Sequence, residues 1–215
     1  MLQLYTYFRS SASYRVRIAL HLKGLPFESV PIHLLRDGGG QHSAAYQQIN
    51  PAELVPALVD DGHAVTQSLA IMEYLEETHP APALLPSDAL GRARVRALAQ
   101  TIACEIHPLN NLRVLQYLER ELKMDEDTKA TWYRHWITLG FTALESMLAN
   151  SPDTGTFGQG AAPGLADCCL VPQLANSRRF ATPLEAFPTI RRLEEACLAL
   201  PAFQRAAPAL QPDAE

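Results

Sequence analysis

The hydrophobic rhythm changes character once along the chain, near residue 80, and that change restricts the fold more than any other feature. Before it, strand-like and helix-like segments alternate. LQLYTYF (2–8) and FESVPIHL (27–34) read as strands, the second through the alternation of Val30, Ile32 and Leu34. Between them Val16, Ala19, Leu20 and Lys23 keep helical spacing, and Gly24 with Pro26 closes that helix. VPALVD (55–60) and AVTQ (64–67) flank Asp61-Gly62, the signature of a hairpin. Ser68 is the expected cap of a helix over 69–78, which Pro80 ends. The predicted order is β-α-β, a loop-rich connection, then β-β-α.

Past the proline-rich stretch HPAPALLPSD (79–88) no strand is predicted. Val95, Leu98, Ile102 and Ile106 follow one helical face, broken at Pro108. Tyr133, Ile137, Phe141, Leu144 and Leu148 follow a second; Ile190, Leu193, Cys197 and Leu198 mark a third. Segments 111–123 and 165–180 also read as helix, the latter kinked by Pro172. The expected organisation is a small mixed α/β domain over 1–82, a linker over 83–88, and an all-helical domain over 89–215.

Composition narrows the functional classes. The 215 residues carry a net charge of −5, which argues against a sequence-independent grip on nucleic acid, since that needs a basic face. No run approaches the roughly 18 apolar residues of a membrane span. The opening MLQLYTYF lacks the basic and apolar regions of a secretion signal, so a cytoplasmic protein without a membrane partner is expected. Cys104, Cys168, Cys169 and Cys197 form no C-x-x-C and read as buried apolar residues. The histidines make no HExxH, so no metal site is expected. Trp132 and Trp136 read as core.

Three short stretches carry chemistry. Arg9-Ser10-Ser11-Ala12-Ser13 places three hydroxyls where a strand becomes a helix. One hydroxyl suffices as a cap, and a helix N-terminus with spare O–H donors can hold a thiolate. No cysteine lies near in sequence, so such a sulfur must arrive with a ligand. Val55-Pro56 opens a strand and, if its peptide bond is cis, exposes the Val55 backbone to an extended peptide. Gln67-Ser68 stands at another helix start, suited either to a plain cap or to a ligand carboxylate.

Together these stretches resemble the glutathione transferase family, in which a thioredoxin-like domain precedes a helical one. The run Arg9-Ser10-Ser11-x-Ser13-x-Arg15-Val16-Arg17-Ile18-Ala19-Leu20 is similar to the zeta class. So are Gln67-Ser68-Leu69-Ala70-Ile71, Leu165-Ala166-Asp167, Leu170-Val171-Pro172-Gln173 and Gln211-Pro212-Asp213, and the likeness spans the chain. The resemblance implies a glutathione-dependent cis–trans isomerase of maleylacetoacetate or maleylpyruvate. By it, sulfur adds to the double bond, the resulting enolate permits rotation, and sulfur leaves. It places Ser10 or Ser11 at the sulfur with Arg9 beside them. It assigns Gln41, Val55, Pro56, Gln67, Ser68 and His107 to glutathione, and Arg9, Asn111, Arg113 and Arg179 to the acidic substrate. It also implies a homodimer. Two departures stand out: Ala12 replaces a frequent cysteine, and Gly164 replaces the usual hydroxyl cap before Asp167. Arg178, Arg191, Arg192 and the trio Arg92, Arg94 and Arg96 read as solvated surface. A general transferase for electrophiles or α-halo acids, and a non-catalytic binding protein, remain open alternatives.

Overall fold

The computed structural model describes all 215 residues, which form two compact units: Met1–Leu84 together with Leu198–Glu215, and Leu85–Cys197. The strands are β1 (Leu2–Thr6), β2 (Phe27–Pro31), β3 (Ala57–Asp60) and β4 (His63–Thr66). The helices are α1 (Ser11–Leu22), α2 (Ala44–Gln47), α3 (Ser68–Thr78), α4 (Ala89–Gln100), α5 (Leu112–Arg120), α6 (Glu126–Ala149), α7 (Leu165–Arg179), α8 (Pro188–Leu198) and α9 (Pro201–Ala206). The predicted order of the first half is present, with both early strands shorter than expected.

In the first unit the sheet runs β2-β1-β3-β4, with β1 and β2 parallel and the other pairs antiparallel. Helix α1 starts where Ser10 Oγ accepts the Ser13 N–H at 3.2 Å. Every residue from Ser11 to Leu20 is buried. Val16, Ile18, Ala19 and Leu20 join Leu4, Leu58, Ile71, Met72 and Leu75 in the core. Each such large apolar side chain contributes about 1.5–3 kcal/mol by leaving water. Helix α1 packs against α3 and α9.

The same helix buries two arginines, and one of them explains why residues 198–215 belong with this unit rather than with the helical half as expected. Arg17, with no exposed surface, donates through Nε to the Ala206 carbonyl at 3.1 Å. Its Nη1 reaches Thr6 Oγ1 at 3.0 Å and the Tyr7 carbonyl at 3.3 Å, and Nη2 reaches the Phe8 carbonyl at 3.0 Å. Loss of hydration brings this guanidinium down to about 10, against the pull of Asp213 and Tyr14. Those carbonyls, taken by Arg17, lie past the point where β1 ends.

In the second unit, Asp88 caps α4 by accepting the Gly91 N–H at 2.7 Å. The face of Val95, Leu98, Ile102 and Ile106 is buried as predicted, but it continues through a π-helical turn (Thr101–Ile106) and a 3-10 turn (Pro108–Asn110). Gly140 of α6 lies against Ile106, where any Cβ would collide. The predicted faces of α6 and α8 are also buried, except Leu198, which is exposed. Cys104 is exposed too, against expectation, because it lies on the outer side of the π-helical turn; the other three cysteines are buried and free. Trp132 and Trp136 are half-buried and meet edge-on at 5.6 Å.

Several cations expected on the solvated surface are tied down. Arg94 donates to the Gly158 carbonyl at 2.8 Å, to Thr154 Oγ1 at 2.7 Å and to Gln159. Arg178 pairs with the buried Glu194, and Arg192 donates to the Gly155 carbonyl at 2.8 Å. Arg94 and Arg192 satisfy loop carbonyls that have no ladder or helix partner, and Arg178 neutralises a buried carboxylate of α8.

Asp167 anchors the loop before α7. Its Oδ1 accepts the Gly158 N–H at 2.8 Å and Oδ2 the Gly164 N–H at 2.9 Å. The carboxylate arm of the capping arrangement is therefore kept although Gly164 offers no hydroxyl. Burial raises the Asp167 carboxyl from its usual 3.8 to about 6, opposed by those amides and by Arg94. Folded protein thus holds a proton that the unfolded chain releases between about pH 4 and 6, so this group's contribution falls as pH rises through that window. The stability of wild type relative to Asp167→Asn is expected to be greater at pH 5 than at pH 8, by about 1–2 kcal/mol, measured by urea unfolding. Asp167→Ala, which orphans the buried Gly158 amide and the half-buried Gly164 amide, is expected to cost about 2–4 kcal/mol at pH 7.

Candidate functional site

Strand register brings the singled-out segments of the first unit to one end of the sheet. Thr6 ends β1 beside Pro31, the last residue of parallel β2. Tyr5 pairs with Ala57, the first residue of β3, and Ala57 pairs with Thr66, the last residue of β4. The loops beyond those ends hold Arg9–Ser11, Ile32–Gln41, Val55–Pro56 and Gln67–Ser68. Four pieces distant in sequence therefore meet where β1, β2 and β4 finish, the usual location of ligands in open α/β sheets.

Each piece is fixed by identifiable contacts. Ser10 is half-buried; with its Oγ accepting from Ser13, its O–H proton is left to donate outward. Ser11, buried, opens α1, whose first amides have no intrahelical acceptors. Ser13 is wholly interior and belongs to the fold. Arg9 is exposed and lies 4.8 Å from the Phe8 ring centre.

The Val55–Pro56 peptide bond is cis, and Val55 precedes the β1–β3 pairing, so its backbone groups take no part in that ladder. Just before it the Leu54 carbonyl accepts from Tyr46 Oη and Asn50 Nδ2, both at 2.6 Å. Val55 also packs with Tyr7, Phe8 and Tyr46. Gln41 is buried: Nε2 donates to the Leu34 carbonyl at 3.3 Å, while Oε1 accepts nothing within the chain. Gly39 precedes it with φ at +99°, and a Cβ there would strike the Gln41 amide. Around this loop lies a cavity of about 410 Å³ lined by His33, Arg36–Gly40, His42 and Ser43.

Ser68 is the first helical residue of α3, not its cap. Gln67 occupies the cap with φ at +69° and no side-chain bond to the helix, so the expected hydroxyl cap is replaced by a left-handed backbone turn. The Ser68 hydroxyl instead accepts from Arg15 Nη1 at 3.1 Å, which leaves the α3 amides pointing outward. Gln67 itself is exposed.

The remaining predicted residues lie in the second unit. Asn111 caps α5, accepting the Arg113 N–H at 3.2 Å, and its Nδ2 donates to His107 Nε2 at 3.4 Å. Next to it, Asn110 donates to the Tyr133 carbonyl at 3.1 Å. Tyr133 stacks on Phe180, centroids 3.5 Å apart, and Arg179 lies 5.3 Å from the Phe180 ring centre. Arg179 thus lies at one side of an aromatic stack whose other member, Tyr133, is bonded by Asn110, the neighbour of the Asn111 cap. Burial raises the Tyr133 hydroxyl, with Arg179 pulling the other way. Arg113 and Arg179 are exposed and form no ion pair, unlike Arg178, which pairs with Glu194.

Sequence reading missed four supporting residues: Arg15, Arg17, Asp213 and Glu215. The first two carried a signal, two cations inside an otherwise apolar helical run. Asp213 appeared only as part of the family-like Gln211-Pro212-Asp213 run and Glu215 not at all, since their partners are far away in sequence.

The fold and these loops define a class, and comparison with known proteins agrees. Residues 4–83 match the model of the glutathione S-transferase N-terminal domain. The chain is 50% identical to a probable maleylacetoacetate isomerase of Vibrio cholerae over 98% of this chain and 97% of that protein. Among solved structures it is similar to a maleyl pyruvate isomerase described as a bacterial zeta-class glutathione S-transferase. That match has TM-score 0.95 and 48% identity over 99% of this chain and 100% of the other. A maleylacetoacetate isomerase of Methylobacterium extorquens, solved with malonate and glutathione bound, matches with TM-score 0.95 and 42% identity over 99% of both chains. The chain belongs to the zeta-class glutathione transferases, the family of the maleylacetoacetate and maleylpyruvate isomerases.

Ser68→Ala removes the hydroxyl that Arg15 donates to in the interior. It is expected to cost about 1.5–3 kcal/mol of stability, and Ser68→Thr much less, in thermal or urea unfolding.

Proposed function

We propose that this protein is a glutathione-dependent cis–trans isomerase converting maleylacetoacetate or maleylpyruvate to the fumaryl isomer. The observation that carries the reading is the gathering of two helix N-termini, the Val55 backbone and the buried Gln41 amide at one sheet end, in a chain half identical to such isomerases.

The residues present fit glutathione. The amides opening α3, with Gln67 and Ser68, suit the γ-glutamyl carboxylate. The Val55 backbone can pair with the cysteinyl residue as an added strand. The unpartnered Gln41 Oε1 suits an N–H toward the glycine end, where His107 is a further candidate. When bound, glutathione supplies the thiolate that adds reversibly to the conjugated double bond. Ser10 and Ser11 hold that sulfur anionic, because O–H and N–H donors at a helix start favour the charged form. Arg9 neutralises charge gathering on the substrate's oxygens. Asn111, Arg113 and Arg179 bind its carboxylate groups, and an arginine fork matches a carboxylate in shape as well as charge. The related Methylobacterium structure was solved with malonate, a small dicarboxylate, alongside glutathione, which supports a diacid as the substrate class. No helix is long and apolar enough to cross a membrane. The reading extends to a cytoplasmic homodimer, as the class resemblance implies.

Assaying both maleyl acids with and without glutathione tests the reading; turnover that survives omission of glutathione ends it. Arg113→Ala is expected to raise the KM for the diacid about 10–100-fold, the worth of a charged hydrogen-bonded pair, with glutathione affinity nearly unchanged. Equal losses for both ligands would remove Arg113 from the substrate site.

A further inference from the structure

We infer that Asp213 and Glu215 are positioning residues for this site, locking the Phe8–Ser11 loop to the Ile32–Gln41 loop so that sulfur-binding and glycine-end groups keep one separation. The inference rests on the glutathione reading. The segment 211–215 crosses both loops. Asp213 Oδ2 accepts the Phe8 N–H at 2.9 Å, across 205 positions of sequence. Ala214 packs on the cluster of Tyr7, Phe8, Tyr46 and Val55. Glu215 Oε1 accepts from His33 Nε2 at 2.7 Å and from Arg36 Nη2 at 2.9 Å.

The His33 contacts settle which ring nitrogen carries the proton toward Glu215. His33 Nδ1 accepts two backbone amides, Leu35 N–H at 3.2 Å and Arg36 N–H at 2.8 Å, so Nε2 is the donor. One imidazole therefore shapes the turn at residues 33–36 and ties it to Glu215. Gly40 N–H donates back to the His33 carbonyl at 2.7 Å, which carries the anchor on to Gln41. At the other loop the peptides of Tyr7 and Phe8 are held from two sides. Arg17 takes both carbonyls, and Asp213 takes the Phe8 amide, immediately before Arg9, Ser10 and Ser11. The charged groups around the segment are Arg9, Arg17, His33 and Arg36.

The chain leading into the segment is held independently of the two acids: Tyr14 Oη donates to the Phe203 carbonyl, Arg17 to the Ala206 carbonyl, and Gln211 Nε2 folds back onto the carbonyls of Arg205 and Ala207. What Asp213 and Glu215 add is contact with the two site loops. Small displacements there matter, because misplacing a reacting group by about 1 Å can cost about 10²-fold in rate.

The test compares Asp213→Ala, Asp213→Asn and Glu215→Ala with the wild-type full chain. The measurements are glutathione affinity by calorimetry, the ultraviolet thiolate absorbance of bound glutathione against pH, kcat per glutathione-binding site, and thermal midpoint. Asp213→Ala is expected to lower kcat about 10-fold and move the thiolate midpoint upward, with glutathione affinity within about threefold. Asp213→Asn keeps an oxygen for the Phe8 N–H and is expected to restore most of both. Glu215→Ala, at an exposed position where folding is not at risk, is expected to weaken glutathione binding about 3–10-fold by releasing the loop that carries Gln41. Variants that lose thermal stability while keeping the wild-type thiolate midpoint, kcat per site and glutathione affinity would overturn the inference. A wild-type protein showing no thiolate signal with glutathione would instead remove the reading beneath it.

Discussion

A guanidinium without solvent contact joins three parts of the first unit. Arg17 reaches the hydroxyl of Thr6, the carbonyls of Tyr7 and Phe8, and the carbonyl of Ala206, with the Tyr14 ring 5.4 Å from its centre. Removing such a charge from water is costly, and only a nearly complete set of acceptors makes the arrangement tolerable. Because those acceptors come from the end of β1 and from α9, the cost of burying Arg17 is offset only when the two are folded together. The loop that leaves β1 for Ser10 is therefore fixed by the interior, not by its own sequence.

On that base the site is a matter of topology. Antiparallel pairing of β3 with β1 and β4 turns the start of one strand and the ends of two others toward the same side, and the β1–β2 crossover adds the fourth loop. Two helices, α1 and α3, begin there, so two sets of unbonded amides face a common region. The three serines of the first loop divide the labour: Ser10 caps, Ser11 opens the helix, and Ser13 is interior. The arginines divide similarly. Arg15 and Arg17 are buried supports, Arg94 and Arg178 hold loops and helices, and Arg9, Arg113 and Arg179 remain exposed without ion pairs.

Much of the fold was legible because local signals and the global fold agreed. The faces of α6 and of Val95–Ile106 were readable from apolar spacing, and the hairpin from Asp61-Gly62. Boundaries were less so. Nothing in the apolar spacing of Thr101–Ile106 distinguishes a π-helical turn from an α-helix, since the same side is buried in both. Ser68 looked like a cap because hydroxyls usually are, yet Gln67 turns left-handed and frees the serine for Arg15. Arg94 and Arg178 looked solvated because an arginine's partners are not written beside it.

What the sequence determined by itself was everything governed by near neighbours: the order of strands and helices, the apolar faces, the hydroxyl-rich start of α1 and the family resemblance carried by that string. What only the tertiary structure decided was how distant groups are satisfied: the return of residues 198–215 to the first unit, the burial of Arg15 and Arg17, and the pairing of Asp213 and Glu215 with Phe8, His33 and Arg36. The reason is physical. Helical and strand periodicities are set by backbone geometry over a few residues. A buried donor or charge must find its acceptor wherever the folded chain brings one, and that depends on the whole.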